Sequence, residues 1–156
     1  MRILGIDPGT GILGFGIIEA NKGKFQLVDG GVIRTPVKED DAVRLLTIYE
    51  ELTDIIASTK PEVMSVEKLF FARNVTTAMT VAQARGVVLL CGQQVGIPIY
   101  EYTPMQIKQA ITGYGKADKK QMQEMVRVIL GLTEIPKPDD AADAIAAALT
   151  YAQTVR

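Results

Sequence analysis

The chain has 156 residues, 47% of them hydrophobic and 22% charged, with a formal net charge of −1 and no histidine. The missing histidine excludes Ser-His and Cys-His nucleophiles and any His-ligated zinc, leaving hydrolytic chemistry to carboxylates and metals. The length suits one domain able to bury roughly 70% of its unfolded surface.

The first strand is carried by Ile3, Leu4 and Ile6, and Gly5 within it lets another element approach the backbone closely. Met1 leads straight into that strand without a leader, and no apolar run approaches the ~18 residues of a membrane span. Asp7 then meets the turn signature Pro8-Gly9-Thr10-Gly11. A carboxylate at this point has three readings: a ligand for a divalent metal, a neighbour of a phosphate-gripping loop, or a residue that merely starts the turn. Gly14-Phe15-Gly16-Ile17-Ile18 begins a second strand, and Phe25, Leu27 and Val28 a third, with a bulge expected at Gly30-Gly31. Short connections make these three an antiparallel meander.

From about Asp40 the period becomes helical, through Leu45, Ile48, Leu52 and Ile56, and Pro61 closes the segment. Val63-Met64-Ser65-Val66 is a further strand ending at Glu67. The intervening helix implies a right-handed crossover and a parallel strand. If that strand lies beside the first, Asp7 and Glu67 share one sheet edge about 4.8 Å apart, close enough to share a metal. Alternatively, Glu67 is a solvated strand end.

A helix over 76–95 is apolar nearly all round and needs two buried faces. Cys91 belongs to its apolar pattern and reads as core; a lone cysteine cannot form an internal disulfide, which fits a cytoplasmic protein. A fifth strand over 97–102 precedes a capping box with Thr103 at N-cap, Pro104 at N1 and Gln106 at N3. Asp118 caps another helix, and Asp139 is the expected N-cap of the last. In that last helix Asp140 and Asp143, three residues apart, lie on one face. Asp140 also gains from the helix dipole, so a purely structural reading of it stands beside a functional one. Asp143, in an alanine-rich packing surface, calls for a cation.

In this order and spacing, ILGIDPGT, SVEKLFFARN, QARGVV and DDAADAIAAALT closely resemble the RuvC family of Holliday junction resolvases, over nearly the whole chain. The resemblance implies one nuclease domain over residues 1–156. Its fold would be α/β and ribonuclease H-like: a five-stranded mixed sheet, the first three strands antiparallel, flanked by helices. It further implies a homodimer cutting opposed strands of four-way junction DNA, in recombination and repair, and contact with a branch-migration motor complex. The motif matches make Asp7, Glu67, Asp140 and Asp143 the catalytic and metal-binding acids, and Lys108 and Lys119 the basic DNA-binding positions. All-oxygen ligation suits Mg²⁺ or Mn²⁺ rather than zinc, and two ions per subunit can activate water and stabilise the leaving oxygen.

A net charge of −1 is unusual for a DNA-binding protein, yet the charge is unevenly spread. From Glu67 to Lys120 there are seven cations (Lys68, Arg73, Arg85, Lys108, Lys116, Lys119, Lys120) against Glu67, Glu101 and Asp118, a local net of +4. Two other classes compete. An actin/Hsp70/sugar-kinase-type nucleotide binder needs a second lobe and does not explain the DDAAD helix. A non-catalytic nucleic-acid-binding member of the same fold does not explain why all four acids are present.

Neighbouring side chains diverge, so Phe70 and Phe71 after Glu67 are not expected to share one core, and one ring, by motif position Phe70, is expected to stack on a base near the crossover while Arg73 holds the adjoining phosphate. Phe70→Ala is expected to lower junction cleavage about tenfold or more, and Phe70→Trp to retain much of it. A 2-aminopurine at the crossover reads the stacking directly. Equal fluorescence changes with wild-type and Phe70→Ala protein would leave Phe70 as loop packing.

Overall fold

A computed structural model of the chain describes residues 1–9, 11–68 and 75–155. In chain order the elements are β1 (Arg2–Asp7), β2 (Ile12–Asn21), β3 (Lys24–Arg34), α1 (Asp41–Thr59), β4 (Val63–Glu67), α2 (Val75–Gln94), β5 (Ile99–Tyr102), α3 (Pro104–Thr112), α4 (Lys119–Leu130) and α5 (Asp139–Thr154). The strands form one sheet in the order β3-β2-β1-β4-β5. β1, β2 and β3 pair antiparallel, while β4 runs parallel to both β1 and β5. This is the meander followed by a crossover that the sequence pattern predicts.

Side chains alternate across the sheet and so build two cores. On one face Leu4, Ile6, Leu13, Ile17, Met64 and Val66 pack against Ile48 and Leu52 of α1 and Ala84, Val88 and Cys91 of α2. On the other, Ile3, Ile18 and Val63 meet α5, with Ile107 and Ile111 of α3 and Val126 of α4 around it. Cys91 is buried, as its apolar setting predicts.

The α5 face has an unusual feature. Gly5 pairs with Gly16 across β1 and β2, and Asp7 pairs with Gly14, so three glycines form a bare strip beneath the helix. A Cβ on Gly5 would overlap the Ala144 carbonyl oxygen and lie 2.8 Å from the Ala148 nitrogen. One on Gly14 would overlap the Asp140 carbonyl, and one on Gly16 the Ile145 side chain. The helix contributes Ala144, Ala147 and Ala148, and the buried Ser65 hydroxyl donates to the Ala147 carbonyl at 2.6 Å. Backbone and sheet therefore meet with almost no side-chain layer between them.

Two expectations are corrected. The bulge lies at Val28, where the β2–β3 register steps from Ile17/Asp29 to Ile18/Leu27. Gly30 and Gly31 stay in the ladder. A Cβ on Gly31 would press on the Phe15 ring at 3.1 Å, while one on Gly30 would make only ordinary contact, 3.4 Å from Ile145 Cδ1. β5 also starts two residues late, at Ile99.

Gly5→Ala forces a methyl against helix backbone that cannot rotate away. Its expected cost is about 1–3 kcal/mol or more, since overpacking here meets main chain. Urea denaturation measures it, and an unchanged midpoint would mean that α5 is not seated on Gly5.

Candidate active site

Asp7 ends β1 and Glu67 ends β4. The parallel register, running through Ile6 opposite Val66, brings the two strand ends side by side. Both belong to the odd-numbered residues that face α5, as Ile3 and Val63 do. From above, the glycine strip lets α5 sink until Asp140 and Asp143 reach the same spot. One carboxylate oxygen from each of Asp7, Asp140 and Asp143 lies within 4.8 Å of the others. Glu67 flanks this trio and shares a side-chain hydrogen bond with Asp7.

Crowding and burial act on these groups in the same direction. Loss of water pushes the Asp7 carboxyl up to about 10, helped by its hydrogen bond to Glu67 and by repulsion from Glu67, Asp143 and Asp140. Burial also raises Asp143, to about 6, with the Lys119 ammonium pulling it back down against Glu67, Asp140 and Asp139. Such a set is poised for a divalent cation. Oxygen donors bind Mg²⁺ and related hard ions at about 2.0–2.6 Å, a span that the 4.8 Å separation accommodates.

Beside the acids runs a groove lined by Glu67, Lys108, Asp118, Lys119, Asp143 and apolar residues from Pro104 to Ala146. Lys108 rides on α3 and Lys119 opens α4. Each helix starts with a reciprocal capping box. Thr103 Oγ1 accepts from the Gln106 N–H at 3.2 Å, and Asp118 Oδ1 accepts from the Gln121 N–H at 2.8 Å. The Gln121 half of the second box, readable in the D-x-x-Q spacing, escaped the sequence analysis.

Asp139 does not cap α5. Pro138 occupies the N-cap, and the Asp139 carboxylate turns toward α4, 3.2 Å from Lys119 Nζ and 3.0 Å from Gln123 Nε2. Arg85, counted among the cations, is paired with Glu101 through a 2.8 Å bond from its Nε, so neither is a free charge. Phe70 and Arg73 lie outside the described residues. Sequence reasoning also missed how the turn after Asp7 is fastened. The Thr35 N–H donates to the Gly11 carbonyl at 2.8 Å, and Arg44 Nε donates to Thr35 Oγ1 at 3.2 Å. No spacing motif announces that contact.

The raised carboxyls carry a pH signature. In metal-free protein the folded state keeps protons on Asp7 and Asp143 that the unfolded chain, near 3.8, would release. Stability therefore falls as pH rises above about 4, first through the Asp143 range and then on toward that of Asp7, by up to about 1.4 kcal/mol per pH unit for each group. In EDTA, thermal unfolding is expected to show a less stable protein at pH 8 than at pH 5. Asp7→Asn is expected to flatten that slope and raise the pH 8 midpoint; an unaltered slope would show that Asp7 ionises freely.

The family model for the crossover junction endodeoxyribonuclease RuvC matches residues 3–151. The RuvC of Chloroflexus aurantiacus is 55% identical over 154 residues, 99% of this chain and 94% of that protein. The RuvC of Desulfitobacterium hafniense is 55% identical over 155 residues, with the same coverage. Among solved structures, T. thermophilus RuvC in complex with a Holliday junction substrate superposes with a TM-score of 0.95 at 40% identity, covering 100% of this chain and 95% of that one. The mixed sheet, its strand order and its helices are thus those of the ribonuclease H-like fold. On the family match, the identity across the chain and the superposition, this chain belongs to the RuvC family of crossover junction endodeoxyribonucleases.

Proposed function

We propose that this chain resolves four-way DNA junctions by hydrolysing phosphodiester bonds in opposed strands, during recombination and repair. The observation that carries the reading is the gathering of Asp7, Asp140 and Asp143 within 4.8 Å, with Glu67 hydrogen-bonded to Asp7, at the head of a groove that also holds Lys108 and Lys119. These four acids would hold the metal, Mg²⁺ by preference with Mn²⁺ as substitute, two ions to a subunit. When bound, such ions supply an activated water and a stabilised 3′ leaving oxygen. The chain's own part is to fix the ligands rigidly on strand ends and one helix face, and to hold the strand by its phosphates. Lys108 and Lys119 do the latter as point charges on stiffly capped helices. The nucleotide-binding and non-catalytic alternatives leave the meeting of Asp143 with Asp7 unexplained.

The working unit in this reading is a homodimer of single nuclease domains, because two opposed strands need two sites related by a two-fold axis. α2 supports it. One side of that helix is buried through Ala84, Val88 and Cys91, while Met79, Ala82, Gly86 and Leu90 form an exposed stripe at helical spacing. Small residues within an apolar stripe allow a second copy of the helix to come close. Among the described residues no helix is long and apolar enough to cross a membrane. We place the protein in the cytoplasm, acting with the branch-migration motor complex on the same junctions.

Cleavage of synthetic four-way junctions with Mg²⁺ tests the assignment. Asp7→Asn and Glu67→Gln are each expected to lower the rate about 10³-fold or more while junction affinity stays within about threefold, since a metal ligand is lost and the phosphate contacts are kept. Substantial Mg²⁺-dependent cutting by Asp7→Asn protein would remove Asp7 from the chemistry. For the dimer, Leu90→Glu is expected to give monomers at micromolar concentration in sedimentation, where the parent chain gives dimers. A parent chain that sediments only as monomer would count against the interface on α2.

A further inference from the structure

Lys119 is the first residue of α4 and Asp139 the first of α5, and the two meet at the rim of the acidic site. Lys119 Nζ lies 3.2 Å from Asp139 Oδ2, while Asp139 Oδ1 accepts from Gln123 Nε2 at 3.0 Å. Both oxygens of Asp139 are thus engaged by α4, one by its first turn and one by its second. Asp139 itself stands outside the trio of clustered carboxylates. Lys119, by contrast, lines the groove together with Asp143 and Glu67, and its charge is felt at Asp143.

A lysine has a long flexible stem and a compact ammonium, and Asp143 and Asp140 attract that of Lys119. The start of α4 offers Lys119 no hold of its own, since a helix N-terminus repels cations. Drawn inward, the ammonium would sit among Asp7, Asp140 and Asp143, where a divalent cation belongs. The partner that keeps it outside is Asp139, itself steadied by Gln123. More than half of each side chain is exposed, so the pair is weak and exchangeable. An incoming phosphate can replace one anionic partner with another.

The geometry points to Asp139 as a positioning residue that tethers the Lys119 ammonium at the rim, off the clustered carboxylates, and yields it to a DNA phosphate. The handover to phosphate rests on the function proposed above; the tether rests on the contacts with Lys119 and Gln123.

A double-mutant cycle read by Mn²⁺ binding to the free protein, measured by calorimetry, tests the tether. With Lys119 present, Asp139→Asn is expected to weaken Mn²⁺ binding about three- to tenfold, because the released ammonium competes for the same oxygens. In a Lys119→Gln background the same change is expected to cost less than about twofold, and Asp139→Glu is expected to restore most of the affinity. Equal weakening in both backgrounds would make Asp139 only a remote negative charge and overturn the tether, as would no weakening in either. Both sites are exposed, and substitutions there leave folding intact. Junction binding against salt, without divalent ions, separates the second half. Asp139→Asn is expected to tighten binding several-fold only when Lys119 is present, and Lys119→Gln to lower the slope of log K against log salt by about one. An unchanged slope would overturn Lys119 as a phosphate contact, leaving the Mn²⁺ coupling to decide the tether.

Discussion

The seating of α5 directly on the sheet backbone is the constraint from which the rest of this molecule follows. Gly5, Gly14 and Gly16 below and Ala144, Ala147 and Ala148 above remove the side-chain layer that separates a helix from a sheet elsewhere in the fold. Ser65 then pins the helix at the Ala147 carbonyl. Aspartate has a single methylene, so its carboxylate cannot bridge an ordinary gap between layers. Only because the gap is closed do Asp140 and Asp143 reach Asp7. The same closeness strips water from Asp7 and Asp143, which raises their carboxyls and gives the site its appetite for a hard cation.

Holding four acids together opposes folding, and the opposition is met on the far side of the sheet. There, Leu4, Ile6, Ile17, Leu52, Met64 and Val66 are fully buried in a continuous aliphatic core against α1 and α2. Alternation along β1 thus divides the labour residue by residue. Leu4 and Ile6 bury apolar bulk on one face, while on the other Gly5 gives up bulk and Asp7 carries a carboxyl. A strand has the period of two that makes this separation possible; no helix can serve both faces so cleanly.

Much of this was legible in the sequence because local rules and the site agree. The crossover made Asp7 and Glu67 neighbours on condition that the fourth strand lay beside the first, and the β1–β4 pairing meets that condition. Asp143 stood out as a charge among alanines. What stayed hidden depends on contacts distant in sequence. The bulge falls at Val28 rather than at the glycines, and Gly31 instead lies against the Phe15 ring across the ladder, which no pattern within β3 records. Asp139 looks like a helix cap by position, yet Pro138 takes that place and a lysine on another helix takes the carboxylate. The Gly14-x-Gly16 spacing was visible, but its meaning needed the identity of the helix that lies across it.

The clustered carboxylates are far apart in sequence, Asp7 in the first strand and Asp140 and Asp143 in a helix more than 130 residues later. A ribosome adds residues in that order, at about 5–20 per second, so the strand carrying Asp7 emerges many seconds before α5 exists to cover it. Until then Gly5, Gly14 and Gly16 form an open trough, and the acids beside it have no partners across the gap. A metal site of this composition therefore cannot assemble on a half-made chain. Such a nuclease would remain harmless until α5 had been made and had closed over the sheet.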